Sequence, residues 1–440
     1  MDISSNIEYF AAVINGWPLT LYVVAISVIC SCVLNFIQVF GLFKGFKLIF
    51  KPSHTEKTSA EMPPLQAFIN TLSTNLGNGS IAGMATAVYA GGPGAAFWVV
   101  IFGIIMMSVR FAEVYIGSVY SMRAPVGSLG GPMLYMQDLP AGKVIAYIYA
   151  IFCLLFGFFG GNAIQANSIR VGIESAWGIP AYAIAAGLLV FVAYVVSGGA
   201  RRIAQASDYL VPLKVILFFG STLIILTYHA AALPAALLLI VRAAFDASAV
   251  GGALFGITLQ QTIRYGANRS IFATESGLGT AAVLFGATGS QKPLENALMG
   301  MISTFISTIV CFIVALCIVV SGVWTSGLTS TALTIASYET VFGMYAPYIV
   351  NFLAISFGIG CVVSYAYVVR VAWHFLFNGK CQWLSMLLYC LVAFFGALTK
   401  VDLVWNVTDL VIAAMLGLNL FAILYLLPRY RSSIMQAMRS

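Results

Sequence analysis

NLGNGSIAGMA at residues 75–85 and ESGLGTAAV at residues 275–283 decide how this chain is read. Each sets a Gly-x-Gly-Ser/Thr step inside a hydrophobic segment: Gly77-Asn78-Gly79-Ser80 in the first, Gly277-Leu278-Gly279-Thr280 in the second. Glycine pairs weaken a helix. In a bilayer the backbone groups so freed need internal partners or a water-filled cavity. A matched pair of broken helices is the sequence mark of a binding site at the midplane of a secondary transporter.

Composition places the pair in a membrane. With 61% hydrophobic and only 8% charged residues, the chain has too little polar surface to be soluble on its own. Runs such as LTLYVVAISVIC (19–30) and TIVCFIVALCIVV (308–320) are continuously apolar, with no alternation of period two, so the expected fold class is all-α integral membrane rather than a barrel. The eight cysteines show no metal-ligand spacing and most lie in apolar helices, so neither a disulfide nor a zinc site is expected. The N-terminus lacks a basic region ahead of its first apolar stretch, which is expected to be retained as a helix.

Turn and charge signals delimit eleven expected spans, at about 17–43, 65–90, 94–121, 141–175, 180–197, 206–229, 252–287, 292–321, 344–377, 380–399 and 403–428. Alternate connections and the C-terminus then collect Lys44, Lys47, Lys51, Lys57, Arg123, Lys143, Arg201, Arg202, Lys292, Lys380, Arg429, Arg431 and Arg439, against only Arg242 and Lys400 in the opposite set. By the positive-inside rule the N-terminus is outside and the C-terminus cytoplasmic. The net charge of +7 is accounted for by this bias and requires no nucleic-acid partner. Residues 1–60 read as an extra N-terminal helix and a basic cytoplasmic loop, and 61–440 as a ten-helix core. Within the core, about 65–229 and 252–428 each hold five helices and open on a glycine break. Five is odd, so the two sets are expected to be inverted repeats.

Several polar residues lie within the spans. Asn75, Leu76 and Gly77 end the first half of the broken second helix, where carbonyls suit a cation; N–H groups around Gly77, Asn78, Gly79 and Ser80 suit a carboxylate, with Ser80 expected to cap the second half. In RYGANRSIFATESGLGT (264–280), Glu275 lies against the second break. A carboxylate at that depth costs about 2.5 to 3.5 kcal/mol, so it faces a partner or a cavity. It is positioned to pair with Arg264 or Arg269, hold a cation, or take a proton. Asn162, Gln165 and Ser168 share a helix face in FGGNAIQANSIR (159–170), as neutral amides suited to a zwitterion or as interhelical hydrogen bonds. Arg110 and Glu113, three apart, read as a structural pair. No HExxH, GxSxG, Walker loop or CxxC occurs, so the chain reads as neither an enzyme nor an ATPase, and uphill transport draws on an ion gradient.

The segments GNGSIAGMATAVYAGGPGAAFW, GGPMLYM, GNAIQAN, GGARRI with LVP, and ANRSIFATESGLGTAA together resemble the alanine or glycine:cation symporter family, in order over about residues 65–430. The resemblance implies a LeuT-like fold; with no lipidation or retention signal in the sequence, a plasma membrane, by default a bacterial inner one, is the expected location. The resemblance also implies sodium as coupling ion, no other cofactor, and a small neutral amino acid as substrate. The expected substrate site then comprises Asn75, Gly77, Asn78, Gly79, Ser80, Gln165, Phe272, Thr274, Glu275, Ser276, Gly277 and Tyr365. The ion site comprises Asn75, Leu76, Gly77 and Ser364.

The chain departs from the family in three places. It has Gly77-Asn78-Gly79-Ser80 where the family has GTGN, and Thr274-Glu275-Ser276-Gly277 where it has NEAG. In SFGIGCVVSYAYVVR (356–370), Gly360 and Cys361 align with adjacent threonines and Tyr365 with a tryptophan. Hard cations prefer oxygen ligands, so the loss of two hydroxyls weakens or abolishes a sodium site there unless Ser364 compensates. A proton on Glu275 is the rival coupling ion, and a non-transporting amino-acid sensor the rival role. A passive channel finds no ring of charges or repeated filter.

Overall fold

The computed structural model describes residues 16–50, 62–124, 130–245, 258–288, 292–399 and 402–439. The N-terminal residues 1–15, the loop bearing Lys51 and Lys57, the expected start of a span at 252, and Lys400 lie outside the described residues. No strand occurs among the described residues.

The first helix, α1, covers Trp17–Val33. The segment expected to break does so: α2 (Pro64–Asn75) ends before the glycine step, a π-turn occupies Gly79–Gly83, and α3 (Met84–Gly91) completes the crossing. Then come α4 (Ala95–Arg123), α5 (Gly142–Phe158), a second π-turn at Phe159–Ala163, α6 (Ile164–Trp177), α7 (Ala181–Ser197) and α8 (Gly199–Tyr228). After α9 (Leu233–Phe245), the second glycine step separates α10 (Leu259–Thr274) from α11 (Thr280–Gly286). The chain finishes with α12 (Pro293–Val320), α13 (Ser330–Phe342), α14 (Ala346–Phe377), α15 (Gln382–Leu398) and α16 (Asp402–Arg439).

Local chemistry sets many of these ends. Pro64 and Pro293 stand in first turns, where a missing N–H costs nothing. Thr258 and Gln261 form a reciprocal capping box at the start of α10. Among the described residues, six helical stretches are long and apolar enough to cross a bilayer: Ala95–Arg123, Gly142–Trp177, Gln205–Tyr228, Pro293–Val320, Ser330–Phe377 and Val407–Arg439. Trp17–Val33, Ala181–Ser197, Ala230–Phe245 and Gln382–Leu398 are shorter apolar helices.

Two helices stand where only connections were expected. One is α9, and Trp98 of the GGPGAAFW segment donates its indole N–H to the Ala244 carbonyl at 3.0 Å, tying α4 to it. The other is α13, which packs on α14.

The site is positioned by two central helices. α4 packs against α12, α10, α11 and α1, while α14 packs against α5, α6, α8 and α2. α8 stands at the rim: 33% of the most apolar window of Gln205–Tyr228 is buried, against 72% for Pro293–Val320. Even so, α8 turns Lys214 into the interior, where that side chain is 0% exposed.

Candidate functional site

Both glycine steps are structural breaks, and one ion pair on α4 ties them together. Arg110 Nη1 lies 3.0 Å from Glu113 Oε1, both side chains 0% exposed. Arg110 also donates to the Thr274 carbonyl, the end of α10, and at 3.5 Å to Asn75 Oδ1, the end of α2. Glu113 Oε2 accepts the Gly277 N–H at 2.9 Å. The pair therefore serves a carbonyl and an N–H that helix rupture left without intrahelical partners.

At the second break the chain leaves α10 with Glu275 at φ 51° and continues through Gly277 and Gly279 at φ 90° and 93°. The two glycines are needed there, because residues with a Cβ seldom adopt that region. The turn is then clamped by side chains: Tyr149 Oη donates to the Leu278 carbonyl at 2.5 Å and Asn419 Nδ2 to that of Gly277 at 2.8 Å. Ser276 Oγ lies 3.1 Å from Thr304 Oγ1, and Thr274 Oγ1 donates to the Ser270 carbonyl.

Glu275 faces neither Arg264 nor Arg269, so the ion-pair expectation is corrected. Its Oε1 accepts from Tyr365 Oη at 2.6 Å and its Oε2 from Thr280 Oγ1 at 3.1 Å. Among the described residues no basic side chain lies in ion-pair range of it. Arg269 instead covers the first break; a Cβ on Gly79 would lie 3.0 Å from its Nη2.

The first break differs from expectation at Ser80. Its hydroxyl caps no N–H; it donates to the Asn75 carbonyl at 3.1 Å, closing the carbonyl end of α2. The π-turn at Gly79–Gly83 carries the chain into α3, and such single turns recur at functional sites. Gln165 Oε1 accepts the Asn78 N–H at 3.3 Å, and its Nε2 donates to Gly160 in the other π-turn. Asn78 Nδ2 and Oδ1 and Asn75 Nδ2 are buried without hydrogen-bond partners. Unpaired buried amides call for an explanation, because leaving each unsatisfied costs about 1 to 3 kcal/mol.

The other expected residues sort clearly. Asn162 donates to the Tyr389 carbonyl of α15 at 2.8 Å and so serves the bundle, whereas Ser168 bonds back to Ile164 within its own helix. Phe272 is partly buried against the core. Ser364 Oγ donates to Asn70 Oδ1 at 3.1 Å, in α2 but ahead of its end. Gly360 and Cys361 of α14 do face α2: a Cβ on Gly360 would lie 2.6 Å from Ser73 Oγ, and the Cys361 thiol lies 3.3 Å from the carbonyls of both Ser73 and Thr74.

Sequence reasoning passed over Lys214, which lies inside LVPLKVILFFG (210–220), and the clamps Tyr149 and Asn419. An ionisable residue in a span is a functional candidate by default, and that rule alone marks Lys214.

Long apolar helices, two of them broken and joined around buried polar groups, define an integral membrane transport protein. Among solved structures, a substrate-bound, outward-open Na+-coupled sialic acid symporter superposes with a TM-score of 0.57 at 13% identity, covering 93% of this chain and 87% of that one. The fold is thus LeuT-like. The profile of the sodium:alanine symporter family matches residues 1–437, and the chain belongs to that family. It is 30% identical over 436 residues to a sodium/alanine symporter of Methanococcus maripaludis, covering 97% of this chain and 95% of that one. To an amino-acid carrier protein of Bacillus subtilis it is 26% identical over 413 residues, 92% of this chain and 86% of that one.

Proposed function

We propose that this protein is a secondary active symporter that imports a small neutral amino acid, alanine or glycine, by alternating access driven by a cation gradient. The observation that carries the reading is the meeting of the two breaks at Arg110, with Asn75 Nδ2 and both polar side-chain atoms of Asn78 buried and unpartnered beside them. A zwitterion supplies what those groups lack. Its carboxylate meets the Asn78 side-chain amide and N–H groups from Gly77 to Ser80, with Gln165 Oε1 releasing the Asn78 N–H as the substrate enters; its ammonium meets carbonyls and side chains from Phe272 to Gly277, Thr274 and Ser276 among them. Gln165 and Tyr365 line the seat, and Glu275 is held ready by Tyr365 and Thr280. The family description and the archaeal relative's name support sodium as the driving ion.

A monovalent cation is energetically sufficient. About 2.3 kcal/mol per charge per 100 mV, with about 1.4 kcal/mol for a tenfold ion gradient, sustains roughly 500-fold accumulation at one ion per substrate. Alternating access follows if the segments 65–229 and 252–428 rock against each other about the two breaks.

The test is uptake of labelled alanine and glycine into proteoliposomes at fixed membrane potential, under an inward sodium or an inward proton gradient. Accumulation of either amino acid is expected. Gly79→Leu, whose side chain would intrude on Arg269, is expected to abolish uptake while the protein stays in the membrane. Uptake surviving that change removes the site; no accumulation under either gradient removes the transport reading.

A further inference from the structure

The place where a coupling cation was expected already holds one that belongs to the chain. Lys214 reaches from α8 to the end of α2, where its Nζ lies 3.1 Å from the Leu76 carbonyl, 3.4 Å from the Ser73 carbonyl and 3.3 Å from Ser73 Oγ. Three acceptors match the three N–H donors of an ammonium. The Phe357 ring stands 5.3 Å away on another side, and a cation over an aromatic face is attracted by it. No carboxylate lies in ion-pair range of Lys214 among the described residues, so backbone carbonyls solvate this charge in the way they solvate a metal cation in a broken-helix site.

Two further observations agree. The last carbonyls of the first half-helix are each supplied with a donor by the chain itself: Ser73 by Lys214 and Cys361, Thr74 by Cys361, Asn75 by the Ser80 hydroxyl, and Leu76 by Lys214. Those are the groups a helix end leaves open to a ligand. The second observation is steric. A Cβ at Gly360 would lie 2.7 Å from Lys214 Nζ and 2.6 Å from Ser73 Oγ, so a threonine at that position would push the ammonium or the Ser73 hydroxyl out of its present place. The missing side chain at Gly360 of α14 thus leaves the space that the Lys214 ammonium of α8 occupies.

We infer that the Lys214 ammonium is a tethered replacement for sodium at the end of α2, and that amino-acid exchange by this protein does not require sodium. A cation held on the chain acts at a high effective concentration that free sodium must outcompete, in a space already filled. The inference departs from the coupling ion that the family's name supports, and it rests on the transport reading only for its uptake readout.

The experiment is alanine counterflow in proteoliposomes, with unlabelled alanine inside, labelled alanine outside, and either sodium chloride or choline chloride on both sides. Counterflow within about twofold in the two salts is expected, whereas a fall of about tenfold without sodium overturns the inference. Lys214→Ala combined with Gly360→Thr and Cys361→Thr, which removes the ammonium and adds two hydroxyls, is expected to make counterflow depend on sodium. If the wild type exchanges neither alanine nor glycine, the transport reading has failed and thermal unfolding in detergent decides this one. A sodium-specific rise in the wild-type midpoint overturns it; a rise confined to the triple variant supports it.

Discussion

Tyr365 reaches from α14 to Glu275 at the second break. Its hydroxyl and that of Thr280 are the two donors to Glu275, one to each carboxylate oxygen. Removing a hydrogen bond to a charged group costs about 1.5 to 3 kcal/mol, so Tyr365→Phe is expected to lower uptake by about 10- to 100-fold at unchanged expression. Uptake within about twofold of wild type would separate Tyr365 from the site. The motif ESGLGT marked Glu275 from sequence, since a carboxylate in a span needs a partner or a cavity. Its partners were not legible: arginines at 264 and 269 are near in sequence, yet Glu275 turns to Tyr365, ninety positions away. The partners of Lys214 were hidden for the same reason. Nothing in LVPLKVILFFG tells which helix end the amine will meet.

At the scale of elements, the Arg110–Glu113 pair links two broken helices through α4. Taking away one partner of a buried pair strands the other, at a cost of about 3 to 5 kcal/mol. Arg110→Met is therefore expected to lower the unfolding midpoint strongly, followed by size-exclusion chromatography after heating. Arg110→Met with Glu113→Met is expected to recover only part of the loss, because the Thr274 carbonyl and the Gly277 N–H stay unserved. Full recovery would mean that the pair does not hold the breaks. The breaks themselves were readable, as glycine spacing is a local backbone property. The helices α9 and α13 were not: Leu233–Phe245 has 13 residues, short of a span, and Ser330–Phe342 mixes Thr, Ser and Glu among its apolar residues. Packing against α4 and α14 makes them helices. The two π-turns escaped as well, since a single residue's excess in a helix leaves no periodic signature.

For the whole molecule, the lysine and arginine asymmetry makes a prediction about orientation. Cys381 is exposed between α14 and α15, beside Lys380 of the set assigned to the cytoplasm. In a Cys32→Ser background, a membrane-impermeant maleimide is expected to label Cys381 in inside-out vesicles and not in intact cells. Labelling from outside would invert the topology. What the sequence determined by itself was the environment, the helical class, both breaks and the family. Hydropathy, glycine spacing and ordered motifs act over one or two helical turns, or survive as linear pattern, and need no partner to be read. What only the tertiary structure decided was which donor meets which freed backbone group. Arg110 reaches Thr274, Tyr149 reaches Leu278 and Lys214 reaches Leu76 across separations of 164, 129 and 138 residues. Those pairings follow from helix packing in three dimensions, because a broken helix in a membrane must find its missing hydrogen bonds on whatever side chains its neighbours bring within reach.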